Sequence, residues 1–380
     1  MAMIPFLDLR RQYESIRGEI DEAVATVMRR GRFVLGEEVE AFEREFAGFC
    51  GTAHAVGVGS GTEALHLALM AGGVGPDHEV VTVSFTAVAT VAAVEMTGAR
   101  PVFVDIDPRR HTLDPARLEQ AVTPKTRAVI PVHLYGCPAD LEPVLEIARR
   151  RGLLVIEDCA QAHGALYRDR PAGAWGHLAA FSFYPTKNLG AYGDGGAVAG
   201  NDSALIDRVR LLRQYGWKNR YVSSVKGTNS RLDELQAAIL RVKLRRLSGW
   251  NAKRRHLAGL YASGLDGSGL LLPGEPPDTR HAWHLYVVRH PRRDDLQAAL
   301  RSQGIESLVH YPVPVHLQPA YLELGFPPGS LPATESAARE VLSLPLFAEL
   351  GAEEVATVCG AVRSWSHSLP GSPAGKRHEP

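Results

Sequence analysis

The chain has 380 residues, with 42 Lys plus Arg against 42 Asp plus Glu, and 45% of its residues are hydrophobic. That length calls for a large core and two domains, since single domains run to ~100–200 residues. The formal net charge of zero argues against a nucleic-acid binder, which shows a basic excess or stripe.

The amino terminus, MAMIPFLDLRRQYESIR, is charged too early for a secretory apolar region. Leu9, Tyr13, Ile16, Ile20, Val24 and Val27 recur at helical spacing, which predicts an amphipathic helix in an N-terminal segment, residues 1–30. From about residue 55 short β-branched runs alternate with helical stretches: Ala55–Gly59, Val80–Val83, Val102–Ile106, Ala128–His133, Leu153–Glu157, Ala179–Phe183 and Gly196–Ala199. These runs are continuously apolar, as strands covered on both faces are. They predict an α/β domain with a mostly parallel sheet, residues 31–250. The longest apolar stretch, Val80 to Met96, is interrupted by Thr82, Ser84, Thr86, Thr90 and Glu95, and is too short and polar for a bilayer. It suits a strand followed by a helix.

Leu232, Leu235, Ile239 and Val242 predict a helix over 232–247, with Arg241, Lys243, Arg245 and Arg246 at its carboxyl end, where cations suit the dipole. A Gly/Pro-rich stretch, 262–280, leads into a smaller carboxy-terminal α+β domain, residues 251–366. There WHLYVV (283–288) predicts a strand and Asp294–Gln303 a helix. The last residues, 367–380, are low in apolar content and predict a disordered tail. Cys50, Cys137, Cys159 and Cys359 lack zinc-ligand spacing and form no disulfide framework, so a reducing cytoplasm is the expected compartment.

Ligands of an open parallel sheet bind beyond the carboxyl ends of its strands, and three of those ends carry a coherent set. VGVGSGTEAL (56–65) runs from a strand through Ser60, Gly61 and Thr62 into a helix start, where free amides and the dipole favour a phosphate. An ordinary Ser/Thr cap explains that segment equally well. LLVIEDCAQAHGA (153–165) ends its strand on Glu157 and Asp158, an acid suited to a cationic ring nitrogen or to a plain turn. AAFSFYPTKNLGAYGDGGAV (179–198) places Lys187 after a buried strand, with no other charge within five residues on either side. A single lysine is usually a solvated surface group, but burial here would lower its pKa and make the amine a nucleophile. Together the three meet the needs of pyridoxal phosphate: a phosphate cradle, a carboxylate for the pyridine nitrogen and a lysine for the aldehyde.

At these residues the chain resembles the DegT/DnrJ/StrS family of sugar aminotransferases, which have the fold type I architecture of pyridoxal-phosphate enzymes. The resemblance runs from PFLDLRRQY to VLSLPLF. It includes SGTEALHLAL (60–69), VFVDIDP (102–108), PVHLYG (131–136), EDCAQAHGA (157–165), FSFYPTKNLGAYGDGGAV (181–198), NSRLDELQAA (229–238) and HYPVPVHLQPAY (310–321). It implies that Lys187 carries the cofactor, Asp158 faces the pyridine nitrogen, Gln161 the ring hydroxyl, and Gly61, Thr62 and Ser182 the phosphate. Asn229 matches an asparagine that reaches the neighbouring subunit's cofactor, implying a homodimer with a shared active site. Tyr215 and Tyr221 fall in a loop bordering that site, and Tyr311 and His316 in a block facing the sugar. One position departs: where relatives place an aromatic over the ring, SFTAVAT (84–90) has Ala87, and strand alternation puts Phe85 on the opposite face from residue 86, which leaves open whether it compensates.

The resemblance implies transfer of an amino group, with glutamate as donor, to a keto sugar nucleotide. GTNSRLDELQAA (227–238) resembles relatives acting on dTDP-3-keto-6-deoxyhexoses; a 4-keto nucleotide sugar or a keto-inositol is the alternative. A sugar dehydratase of the same fold carries His in place of the lysine, and an inactive regulatory copy would lose Lys187, Asp158 or the cradle. A metal enzyme built on His281 and His284, or on His310 and His316, has poor geometry if HAWHLY is a strand. His133 and His163 are expected to be hydrogen-bonded packing residues.

Overall fold

A computed structural model of the chain describes residues 3–369. Most of the carboxy-terminal tail, residues 370–380, lies outside the described residues.

Asp8 caps helix α1 (Leu9–Arg30), accepting hydrogen bonds from the amides of Arg10 and Arg11, and the helix buries Ile16, Ile20 and Val27. Helix α2 (Glu37–Cys50) follows. The seven runs of apolar residues then form one sheet: β1 (His54–Val58), β2 (Glu79–Val83), β3 (Arg100–Val104), β4 (Thr126–Val129), β5 (Leu154–Asp158), β6 (Leu178–Ser182) and β7 (Gly196–Gly200). Their spatial order is β1-β7-β6-β5-β4-β2-β3. Neighbours are parallel except at β7, which runs antiparallel to β1 and β6.

Helices α3 (Gly61–Ala71), α4 (Val88–Met96), α5 (Pro115–Ala121), α6 (Leu141–Arg151) and α7 (Ser203–Leu212) complete the alternation. Two apolar clusters pack the sheet, one containing Val56, Val81, Val129 and Ile156, the other Phe46, Phe181, Phe183 and Ala197. Strand β4 stops short of the expected His133 because Pro131 has no N–H to donate; only a single bridge, Val132 to Asp158, continues the pairing. The Val80–Met96 stretch divides into β2 and α4 as expected, and among the described residues no helix is long and apolar enough to cross a membrane. All four cysteines are buried and unpaired.

Helix α8 runs from Glu234 to Leu265, 32 residues, so the expected end at Leu247 is overturned, and the 250/251 division falls inside this helix. The basic residues taken for a terminal cluster lie mid-helix and reach acids of other helices: Arg241 pairs with Glu38 and Glu45, and Arg246 with Glu19. Ala237, Leu240 and Leu247 of α8 join the sheet-side core, while Leu257, Tyr261 and Leu265 join the core of the smaller carboxy-terminal part. In that part β8 (Tyr286–Arg289) pairs antiparallel with β9 (Val341–Leu344), packed against α9 (Arg293–Ser302) and α11 (Ala352–His367), with α10 (Pro332–Glu340) leading into β9. The strand expected over 283–288 begins only at Tyr286, because Trp283 adopts a φ of +50° and turns the chain.

One buried charge organises the strand ends. The Glu157 carboxylate is completely buried and accepts from the amides of Gly173, Trp175 and Gly176 at 2.7, 2.8 and 2.7 Å, with His133 Nε2 at 3.0 Å. Burial pushes its pKa up, but the His133 contact and the amides outweigh that and hold it below the ordinary value. A depressed folded-state pKa contributes stability above the unfolded value, and the contribution disappears as pH falls through the folded one. Glu157→Ala should therefore destabilise the chain by about 2–5 kcal/mol at pH 7 in urea unfolding, and the gap from wild type should narrow below about pH 4.

Candidate active site

Strands β5 and β6 deliver Asp158 and Ser182, at their last positions, to one side of the sheet. There α3 begins and the turn bearing Lys187 leaves β6. A cavity of about 230 Å³ lies between them, lined by Ser60, Gly61, Thr62, Asp158, Gln161, Ser182 and Lys187 among others. Every cofactor-facing residue expected from the sequence, Asn229 excepted, is on that wall.

The cradle is built by close backbone approach. Ser60 caps α3 by accepting from the Glu63 amide, which leaves Gly61 and Thr62 as first-turn donors without intrahelical partners. A Cβ on Gly61 would stand 2.6 Å from Ser182 Cβ, and one on Gly196 would stand 2.3 Å from the Ser60 carbonyl oxygen. Only glycine lets the starts of α3 and β7 and the end of β6 meet here, with small hydroxyl side chains around the helix dipole. That is the chemistry a phosphate needs.

Asp158 is buried, with Oδ2 accepting from Thr90 Oγ1 at 2.8 Å and Oδ1 from the Ala160 amide at 3.1 Å. Burial raises its pKa; the Thr90 hydroxyl, the Ala160 amide and the charge of Lys187 oppose that. A desolvated carboxylate of this kind gains from a cationic partner such as a protonated ring nitrogen. The Lys187 amine is pushed down to about 8 by burial, against the pull of Asp158. Gln161 accepts from the Tyr135 amide at 2.7 Å and donates to the Tyr311 hydroxyl at 3.1 Å, so Tyr311 reaches the cavity through Gln161. These groups fit pyridoxal phosphate: amides for the phosphate, an acid for the ring nitrogen, an amide side chain for the ring hydroxyl and an amine for the aldehyde.

Thr86 and Ala87 also line the cavity, whereas Phe85 is buried away from it, 6.1 Å from the His111 ring and 6.3 Å from that of Tyr135. At this position the cavity wall therefore offers only a methyl group. The sequence marks Thr90 only as a polar break in an apolar stretch; in the structure its hydroxyl, on α4, lies 3.0 Å from that of Thr86, which precedes the helix.

His316 and His163 depart from expectation, whereas Asn229, Tyr215 and Tyr221 were expected at a site shared with a neighbouring subunit. His316 does not line the cavity: it is fully buried, 2.7 Å from Ser84 Oγ and 3.4 Å from Glu335, and so anchors the start of the Ser84–Thr90 block. Asn229, Tyr215 and Tyr221 lie outside the chain's own cavity, on an exposed segment where Tyr221 is 72% accessible. His133 is hydrogen-bonded as expected, but His163 is not: among the described residues neither ring nitrogen has a partner, and the ring packs on Phe181 and Phe183. The residues 281–285 are not a strand, yet the histidines still do not converge on one another. His281 accepts from the Trp283 amide, His284 meets Asn188 and His310 meets Ser343.

A profile of the DegT/DnrJ/EryC1/StrS aminotransferase family matches residues 14–363. The chain is 53% identical over 367 residues to dTDP-3-amino-3,4,6-trideoxy-alpha-D-glucose transaminase of Streptomyces venezuelae, covering 96% of this chain and 97% of that protein. It is likewise 53% identical over 362 residues to the erythromycin biosynthesis sensory transduction protein EryC1 of Saccharopolyspora erythraea, covering 95% and 99%. The crystal structure of S. venezuelae DesV in complex with a ketimine intermediate superposes with a TM-score of 0.96 at 52% identity, covering 97% of this chain and 100% of that one.

With the amine lowered to about 8, its neutral, nucleophilic form grows as pH rises through that value. Acylation of Lys187 in the cofactor-free chain, followed by peptide mass, should be half-maximal near pH 8 and about tenfold slower at pH 7 than at its plateau. Gly196→Ala should weaken cofactor binding by at least about tenfold, in an absorbance titration, through the displaced Ser60 carbonyl.

Proposed function

The chain belongs to the DegT/DnrJ/EryC1/StrS aminotransferase family, and from that premise we propose that it moves an amino group from glutamate to the keto carbon of a dTDP-3-keto-6-deoxyhexose. The observation that carries this is the convergence of Lys187, Asp158 and the Gly61–Thr62 cradle on one cavity. The substrate class rests on the transaminase relative together with the 227–238 block.

Bound pyridoxal phosphate supplies an electron-withdrawing ring and a carbonyl carbon that can exchange amines. Asp158, kept from water, holds the ring nitrogen protonated. Gly61, Thr62 and Ser182 bind the phosphate, and Gln161, fixed by the Tyr135 amide, orients the ring through its hydroxyl. Lys187 holds the cofactor covalently at rest. With pyridoxal phosphate and donor bound, its amine would be placed to take the proton from the donor α-carbon, a task suited to a pKa near neutrality. A cofactor that stores the amino group between the two substrates would give ping-pong kinetics. Tyr311, joined to Gln161, borders the sugar.

The site also calls for a second copy of the chain. Among the described residues Lys187 is the one lysine or arginine on the cavity wall, and a nucleotide diphosphate is best bound by further cations. Lys218, Arg220 and Lys226 stand exposed on the segment that carries Tyr215, Tyr221 and Asn229. A homodimer in which this segment reaches the partner's cavity brings both sets together. The cytoplasm, where nucleotide sugars and reduced thiols occur, is the compartment consistent with four unpaired cysteines. Retention of Lys187 supports the transaminase over a dehydratase, and retention of the whole cofactor set supports it over a purely regulatory role.

The holoenzyme should absorb at ~400–430 nm and bleach with glutamate. Offered a panel of keto sugars, the bleached form should regain the band fastest with the dTDP-3-keto sugar; fastest recovery with a 4-keto sugar or a keto-inositol would reassign the acceptor. Lys187→Ala should lower kcat by on the order of 10³-fold or more with the fold intact by circular dichroism. Mixing Lys187→Ala with Asn229→Ala subunits should give more activity than either variant alone if the sites are shared.

A further inference from the structure

Lys243 is completely buried on α8, and nothing in the chemistry above uses it. We propose that Lys243 is a positioning residue for Lys187: its amine grips the return leg of the turn that carries Lys187 and fixes where that side chain starts. Its Nζ donates to the Gly190 carbonyl at 2.6 Å and lies 4.2 Å from the centre of the Tyr192 ring. Gly190 is three residues beyond Lys187, on the strand-to-strand excursion between β6 and β7.

Backbone hydrogen bonds also close the turn on itself. The Lys187 amide donates to Tyr184 at 2.9 Å and the Ala191 amide to Phe183 at 2.7 Å. Gly190 rests so tightly on Pro185 that a Cβ would stand 2.2 Å from the Pro185 carbonyl oxygen. The Gly190 carbonyl is one point at which an outside group can lock the excursion, and Lys243 holds it. Two more α8 side chains grip the same segment. Gln236 accepts from the Tyr192 amide at 2.8 Å, and Asn251 accepts from Asn188 at 3.0 Å. Positions 236, 243 and 251 are seven and eight residues apart, two helical turns each, so they share a face of α8.

Energetics set this lysine apart from packing. A buried amine carries a desolvation penalty that a methionine of similar reach does not. Burial lowers the Lys243 pKa to about 7, and only Glu349 pulls the other way. Either protonation state still donates to Gly190, so the hydrogen bond survives across neutral pH. Tyr13 of α1 meets the Tyr192 ring edge-on at 6.2 Å, which places the N-terminal helix as a cover over this contact.

The functional meaning rests on Lys187 being the reactive amine; hydrogen exchange on the cofactor-free full-length chain does not, so the two can fail separately. In Lys243→Met, amide exchange over residues 188–192 should rise at least about tenfold while the rest of the sheet stays within about twofold of wild type. In the holoenzyme kcat should fall about tenfold with KM for both substrates within about twofold. Lys243→Gln, which keeps a polar group but falls short of Gly190, should give the same pattern and serves if the methionine variant does not fold. Unchanged exchange at 188–192, exchange raised evenly through the sheet, or loss of fold in both variants would overturn the assignment. Raised local exchange with unchanged kcat would overturn its functional part, and a dead wild-type enzyme with the same exchange pattern would instead remove the transaminase reading.

Discussion

The approach of three backbone segments at Gly61, Ser182 and Gly196 is the constraint on which the site depends. The start of α3, the end of β6 and the start of β7 pass within distances that exclude a Cβ at either glycine. Because β7 runs antiparallel between β1 and β6, its first residue lies beside the last residue of β6 and under the first turn of α3. A helix N-terminus is thereby set directly over the strand ends that carry Asp158 and Ser182. The dipole, the free amides and the desolvated acid then face one small cavity, and the geometry follows from backbone packing before any side chain is chosen.

A second layer of organisation comes from buried polar groups that cross between elements. Glu157 ties the segment 173–176 to β5 through three amides, holding its neighbour Asp158 at a fixed depth. Thr90 of α4 meets Asp158 from the other side, and His316 holds Ser84 at the head of the same block. Helix α8 does the same for the Lys187 turn through Gln236, Lys243 and Asn251. Each such group is costly to bury and would be costlier still to leave unpaired, so these contacts select one arrangement of the strand-end loops out of the many that apolar packing would tolerate.

The long helix also explains why the smaller carboxy-terminal part is held against the sheet. Its first turns belong to the sheet-side core and its last turns to the core around Tyr261 and Tyr286. Tyr311 arrives from the smaller part through Gln161, whereas Tyr215, Tyr221 and Asn229 lie outside the chain's own cavity.

The sequence alone marked the sheet strands and the strand-end residues Gly61, Thr62, Asp158 and Lys187, because strands covered on both faces are written as unbroken apolar runs and strand ends are where such a sheet binds ligands; Gln161 and Ser182 followed only from the family resemblance. Lys187 stood out for the same reason: a lysine isolated among apolar residues after a buried strand has few structural uses. What the sequence could not supply were facts that depend on partners remote in the chain. The basic cluster of α8 looks like a helix end until Glu19, Glu38 and Glu45 are seen to meet it mid-helix. His316 looks like a site residue until Ser84, 232 positions away, is found to claim it. Phe85 and Ala87 differ by two positions, yet only the turn into α4 decides that the phenyl ring packs on Tyr135 and the methyl lines the cavity. Local pattern fixes which residues are buried and on which element. Which buried polar group pairs with which is set by tertiary packing, since a hydrogen bond depends on distance in space and carries no trace in sequence spacing.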